Sequence, residues 1–466
     1  MAKSARSARS RGPRVPRKTN PTPHLIHSDA AGIDIGATHL YVALPPERCP
    51  DPVRVFETFS EDLQALAAWL KEHRITTVAM ESTGVYWIPV FQVLETAGIE
   101  VYLVNAQHAK NVPGRKTDVS DCQWLQYLHA VGLLRGSFRP PDEICAARTL
   151  LRHRGTLVAE AAAHVQHMQK ALVQMNVRLQ HVLSDLSGTS GLAIIDALLA
   201  GERDPAQLAK LRDPHVKASA ATIAKALVGD WRAEHLFTLR QARESYRHCQ
   251  RLIRECDAEI ERHLAQLRSQ VDPTQTPPPP AQPGQSRSHQ GEIMLVAGDL
   301  RTELYRVLGV DATQIPGLGT SSVAGLVFHL GTDLAAFPSA GHFANWQGLC
   351  PNPQISGGRV LKRGTRDVKH PVATIFRLAA QALHHSASYL GAYYRRMRAK
   401  LGAPKAITAT AHKLARIYYH LVTTKQAYDE SVFAQNEVRE AKRRVERLKR
   451  EATALGFVLS PQAAAA

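Results

Sequence analysis

The chain of 466 residues predicts an α/β domain, then a long helical middle and a mainly α, strongly basic C-terminal part. Three observations carry this reading. Residues 30–104 alternate strand-like runs with apolar positions at helical spacing. Residues 144–267 are rich in Ala, Leu, Arg, Gln and Glu, with apolar side chains stepping at threes, fours and sevens. From Leu334 to Tyr428 one acid, Asp367, stands against 14 Lys and Arg. A chain this long exceeds one compact core and calls for roughly two or three domains.

Residues 1–27 carry seven Lys and Arg and no acid, and read as a disordered basic tail. The α/β domain then spans 28–143. Gly32-Ile33-Asp34-Ile35-Gly36 and the run Thr38 to Leu44 predict two strands around a tight turn. Val53 to Phe59 predicts a third strand. Leu63, Leu66, Ala67 and Leu70 give Glu61 to Lys71 a helical face. Thr76 to Met80 is a short buried strand ending on Glu81, Val85 to Ala97 a helix, and Glu100 to Val104 the next strand. After Gly114-Arg115-Lys116-Thr117-Asp118-Val119-Ser120-Asp121, an amphipathic helix is expected over Cys122 to Leu134.

Residues 144–268 predict two long antiparallel helices in a coiled-coil domain with a small helical insert. Their Met, Cys and His residues read as core rather than as ligands. Residues 269–291, with prolines at 277 to 280, form a Pro-rich linker. The basic domain covers 292–428. In it, Ile315-Pro316-Gly317-Leu318-Gly319 before a helix resembles a helix-hairpin-helix, whose Gly317 and Gly319 amides would hold a DNA phosphate. Helices are expected over Pro371 to Ser386, Ser388 to Leu401 and Ile407 to Val422. Residues 429–466 form a charged helix and tail.

Charge bounds the partners. With 58 Lys and Arg against 41 Asp and Glu, the net charge is +17 and the pI about 9.8, which points to a polyanion such as nucleic acid. No run of apolar residues is long enough to span a membrane. Six cysteines without a CxxC pair read as reduced thiols of a cytoplasmic protein.

Four carboxylates carry the candidate chemistry. Asp118 and Asp121, three residues apart, share a helix face and suit either one metal ion or the capping of a helix start. Asp34 on the first strand and Glu81 at the end of a later one would meet them at one sheet edge. The order strand Asp, strand-end Glu, two helix-start Asp is that of the RNase H-like fold, and of the RuvC-like resolvases in particular. Such a set would hold a pair of Mg²⁺ ions for phosphoryl transfer.

With GIDIGAT, AMESTG, RKTDVSD and CPNPQISGGRVLKRG in one order, the chain resembles the DEDD insertion-sequence transposases, the family of the Piv invertase and the bridge-RNA-guided recombinases. The resemblance spans about residues 30 to 140 and 310 to 425. It implies that Asp34, Glu81, Asp118 and Asp121 form the metal-binding tetrad and that Ser356 is the nucleophile. It further implies cleavage of donor and target DNA through a covalent phosphoserine, a structured non-coding bridge RNA, and a homo-oligomer built as a dimer of dimers. A bacterial cytoplasmic protein, nucleoid-associated while active, would follow. Arg115, Lys116, Arg359, Lys362 and Arg363 would contact nucleic acid, with Gly357 and Gly358 admitting a close backbone. Read without the family, Ser356 is equally a turn serine before two glycines.

Other readings compete. Asp34-Ile35-Gly36-Ala37-Thr38 matches the DxGxT phosphate loop of actin-like and sugar kinases, but no second phosphate loop or adenosine segment follows. A Mg-dependent, structure-selective nuclease that hydrolyses with water, and a non-catalytic nucleic-acid-binding protein, use the same features.

Overall fold

The computed structural model describes residues 24–82, 84–105, 118–281, 292–366, 368, 370–458 and 460. The chain divides into two compact units between Arg139 and Pro140.

In the first unit a five-stranded sheet has the order β3-β2-β1-β4-β5. Strands β1 (Ala30–Ile35), β2 (His39–Ala43) and β3 (Val53–Glu57) form an antiparallel meander. Strands β4 (Thr77–Glu81) and β5 (Glu100–Val104) add in parallel beside β1. Successive side chains of a strand point to opposite faces. Ile33, Val78, Met80 and Leu103 therefore meet helices α1 (Ser60–Glu72) and α2 (Trp87–Thr96), with Leu66, Leu70 and Leu94 fully buried. Each such leucine contributes about 1.5–3 kcal/mol.

The other face carries α3 (Asp118–Ala130), through Ala79, Val104, Leu125 and Leu128. This helix begins four residues before the Cys122 predicted from its apolar pattern. Its first turn has no buried apolar residue for periodicity to register, and Asp118 and Asp121 suit the positive helix end instead. At its far end the buried His129 ring meets Thr77 Oγ1 at 2.8 Å and stacks on His27, while the Ile26 and His27 amides donate to the Ala130 carbonyl.

The second unit opens on two long helices, α4 (Asp142–Gln174) and α5 (Ala233–Gln266), joined by three short ones. They run antiparallel. Arg154 near the start of α4 forms a buried pair with Asp257 near the end of α5, and the Asp230 amide donates to the Met175 carbonyl. Met168 and Cys249 lie in the core between them. Removing one member of a buried ion pair such as Arg154–Asp257 costs about 3–5 kcal/mol, because a charge is left uncompensated.

The proline segment is held down over its described part. Gln270 donates to the Arg306 carbonyl, and Arg301 and Gln314 donate to the carbonyls of Pro279 and Pro280. Beyond it come α6 (Leu300–Leu308), α7 (Thr320–Leu330) and α8 (Ala340–Trp346). A hairpin of β6 (Gln354–Ser356) and β7 (Arg359–Lys362) follows. The expectation of a mainly α domain does not place it, because both strands are short and wholly exposed, so no alternation of burial marks them. Helices α9 (Pro371–Ala382), α10 (Tyr389–Leu401) and α11 (Ala403–Thr424) complete the body around Phe343, Phe376 and Tyr418, before α12 (Ala434–Ala454). Among the described residues no helix is long and apolar enough to cross a membrane, and all six cysteines are free.

Candidate active site

Position along β1 decides which face each side chain serves. Gly32 and Asp34 share the face toward α3, while Ile33 points to the α1 and α2 side. Gly32 is the reason α3 can lie so close. A Cβ there would fall 2.3 Å from the Cys122 carbonyl oxygen and 2.3 Å from the Gln126 nitrogen. With hydrogen in place of a methyl group, the helix backbone rests directly on the strand, and its first turn comes over Asp34.

Glu81 arrives by register. The parallel pairs of β1 and β4 run Gly32↔Ala79 and Ile33↔Met80, so the next step sets Asp34 beside Glu81. Neighbouring strands are about 4.8 Å apart, close enough for the two carboxylates to interact. Ala79 packs under α3, and Glu81, two residues on, shares its face.

The electrostatics agree with the register. The Asp34 carboxyl is pushed from 3.8 to about 6, chiefly by burial and then by the negative charges of Asp118, Asp121 and Glu81. The fold thus brings the four carboxylates predicted from the sequence into one electrostatic neighbourhood. Beside them the buried Cys122 thiol is pushed up to about 12, mainly by burial, and stays neutral. Among the described residues no three carboxylate, imidazole or thiol groups close into a ready-made cage. Hard oxygen donors on two strands and a helix start fit a cation such as Mg²⁺.

In the second unit Ser356 ends β6 and pairs with Arg359 across a two-residue turn. Gly357 and Gly358 have φ of 54° and 74°. Positive φ at both centres is the type I′ geometry that matches strand twist, and it favours glycine. Paired residues share a face, so Arg359 stands on the side of Ser356. A register shift at Leu361 sets Lys362 opposite Gln354, adding a second cation to that side. Among the described residues the Ser356 hydroxyl makes no hydrogen bond.

At the base of the hairpin lies a cavity of about 880 Å³ lined by Lys362, Arg363, Arg366, His370, Thr374 and Arg377. Burial and Arg377 depress the His370 imidazole to about 4, so it is neutral at physiological pH. Sequence reading named Lys362 and Arg363 here, but not Arg366, His370 or Arg377, which a loop and α9 bring in. The basic composition around Arg366 was the available signal.

The turn at Gly317 packs closely on α9, since a Cβ there would lie 2.7 Å from the Ala379 carbonyl oxygen. Gly319, at the N-cap of α7, faces open space. Arg115 and Lys116 lie outside the described residues.

Comparison with known families accounts for both regions. Residues 31–177, containing the four carboxylates, match a transposase model of the DEDD, IS110 type. Residues 312–395, containing the hairpin and groove, match the model described as transposase, IS116/IS110/IS902 family. Comparison with curated proteins gave no match. Two matches in the order of the two units, one over the carboxylate site and one over the basic hairpin, leave one assignment: the chain belongs to the IS110-type DEDD transposases, enzymes that act on DNA.

Proposed function

We propose that the chain is a DNA recombinase that cuts and rejoins strands with two parts, the carboxylate site of the first unit and Ser356 of the second. The single observation that carries this is the charge field on Asp34, to which Asp118, Asp121 and Glu81 all contribute. The strand order β3-β2-β1-β4-β5, with the acids on β1, β4 and the start of α3, supports reading the first unit as RNase H-like and RuvC-like.

A DEDD domain implies a divalent metal, and we assign Mg²⁺, as a pair of ions, to Asp34, Glu81, Asp118 and Asp121. When bound, the metal would supply positive charge to activate the attacking oxygen and stabilise the leaving one. The chain's own part is positional. Gly32 seats α3, α3 sets Asp118 and Asp121, and the β1–β4 register sets Glu81.

In the strand-transfer step the Ser356 oxygen bonds to phosphorus and the bond to a deoxyribose oxygen breaks. The serine proton passes to a base, and the leaving oxygen takes up a proton. Arg359 and Lys362 would neutralise the phosphate, and Gly357 and Gly358 would let the DNA backbone approach. Rejoining reverses these bonds with a new deoxyribose oxygen, so no phosphodiester energy is lost. A serine hydroxyl needs activation, and Ser356 has no hydrogen-bond partner among the described residues. This supports a site completed on assembly, in a dimer of dimers holding a structured bridge RNA that pairs with donor and target DNA. The RNA partner rests on the family resemblance and on the net charge of +17.

The same lone hydroxyl favours one rival, hydrolysis by water at the carboxylate site without a protein–DNA bond. Denaturing gels with cognate DNA and Mg²⁺ separate the two. A covalent adduct in wild type that is lost in Ser356→Ala supports the recombinase. Cutting by Ser356→Ala at the wild-type rate overturns it in favour of hydrolysis.

A further inference from the structure

The groove beneath the hairpin has features that the Ser356 chemistry does not use. Its cations come from three places: Lys362 and Arg363 from the end of β7, Arg366 from the following loop, and Arg377 from α9. Arg366 donates through Nη2 to the Asn345 carbonyl, which fixes the guanidinium plane, yet its Nε is buried without a hydrogen-bond partner among the described residues. The Nδ1 of His370, whose ring packs edge-on against Trp346, is buried and unpartnered in the same way. Buried polar atoms are ordinarily hydrogen-bonded, so two unpartnered ones beside one groove set it apart from an ordinary basic surface.

The groove also opens on the start of α9. His370 is the N-cap residue and makes no side-chain cap, and Pro371 has no amide to offer. The amides of Val372 and Ala373 therefore have no intrahelical acceptor, and the positive end of a 12-residue helix points the same way. Guanidiniums, one of them oriented by the Asn345 carbonyl, an imidazole, a threonine hydroxyl and a helix start together suit a tetrahedral oxyanion carried on a polymer.

We propose that this groove is a phosphodiester-binding site, in which Arg363, Arg366, Arg377 and the start of α9 hold one backbone phosphate of a nucleic-acid strand running past Ser356. The proposal rests on the reading that the hairpin works on DNA, and it adds an anchor distinct from the phosphate being cut. A strand held at the hairpin base would present its neighbouring phosphate to the tip and stay in place between cutting and rejoining. DNA and RNA share this chemistry, so the probe must distinguish them.

Full-length Ser356→Ala protein, which cannot cut through the serine, is titrated by fluorescence anisotropy over a range of salt. The probes are a fluorescein-labelled 20-nucleotide DNA strand, its duplex, and an RNA hairpin of equal length. Adding Arg377→Gln should reduce the slope of log K against log salt by about 0.9 on duplex or about 0.7 on a single strand, one phosphate's share. Arg377→Lys should keep most of it. The probe showing the loss identifies the occupant as duplex, single-stranded DNA or RNA. An unchanged slope on all three probes, in a variant with wild-type melting, overturns the proposal. If Arg377→Gln does not fold, the exposed Arg363→Gln is read the same way, and an unchanged slope there overturns it. Adduct formation by wild type is scored separately, so loss of the anchor and loss of the serine mechanism give different results.

Discussion

Gly32 and Asp34 sit two residues apart on β1 and face the same helix, so the residue that lets α3 approach and the residue α3 serves are set by one strand alternation. Gly32→Ala should therefore be more harmful than a buried methyl group ordinarily is. The added carbon would meet backbone atoms of Cys122 and Gln126, which have no rotamer to yield. We expect a loss of about 1–3 kcal/mol, the overpacking range, together with loss of metal-dependent cutting as the first turn of α3 lifts. Thermal melts and cleavage gels check this. Wild-type melting and cutting in Gly32→Ala would refute the close approach.

Asp34→Asn should separate stability from activity. The folded-state pKa of Asp34 is raised, so the fold favours its protonated form. That preference is fully expressed below about 4 and is lost as pH rises through about 6, leaving an ionised carboxylate that opposes folding at neutral pH. In metal-free protein at pH 7.5, Asp34→Asn should raise the melting temperature. Mg²⁺ should stabilise wild type and do so much less in the variant, while the variant loses cutting. A variant that melts lower than wild type without metal would show that Asp34 is not held under repulsion.

How much of this was legible in the sequence differs by element. Strands β1 to β5 were readable because each alternates or runs apolar over its whole length, and Asp34 and Glu81 could be placed by counting along them. The start of α3 was not, because periodicity registers buried residues and its first turn is charged. The Ser356 hairpin carried its turn signal, Gly357-Gly358, but not its strands, which bury nothing. The groove was invisible for another reason. His370 and Arg377 belong to α9, and only the tertiary path of the loop after β7 sets them beside Arg363 and Arg366. Gly317 shows another limit: the sequence marks a turn glycine there, but not that its Cα packs against the Ala379 carbonyl.

Acid should destabilise the protein well above the range in which carboxylates usually titrate. His129, His329 and His370 are each depressed from 6.5 to about 4, chiefly by burial. Their neutral forms support the fold above about 6.5, and that support is lost as pH falls toward 4, because the unfolded chain binds protons first. Asp34 titrates across the same window with opposite sign, but it is one group against three. Melting temperature should therefore fall between pH 7 and pH 5. His129→Asn, which keeps a polar group near Thr77, should lower the melting temperature at pH 7 and flatten that fall. A profile flat from 7 to 5 in wild type would mean that these rings are not buried in neutral form.

The hairpin turn gives the sharpest test of whether its shape or only its charge matters. Gly357 and Gly358 both hold positive φ with nothing within 4 Å of an added Cβ, so backbone conformation and not space sets what is tolerated. Asparagine enters the left-handed region readily and is favoured at the first centre of a type I′ turn. A β-branched residue does so only under strain, on the order of 1–3 kcal/mol. Gly357→Asn should keep most adduct formation, whereas Gly358→Val should lower it at least tenfold by moving Ser356 off Arg359. Neither should change the melting temperature much, because both strands are exposed and bury no core. Salt-dependent binding should also survive in both, since Arg366 and Arg377 stand outside the turn. Equal adduct yields from the asparagine and valine variants would show that the turn serves only as a flexible, basic tether.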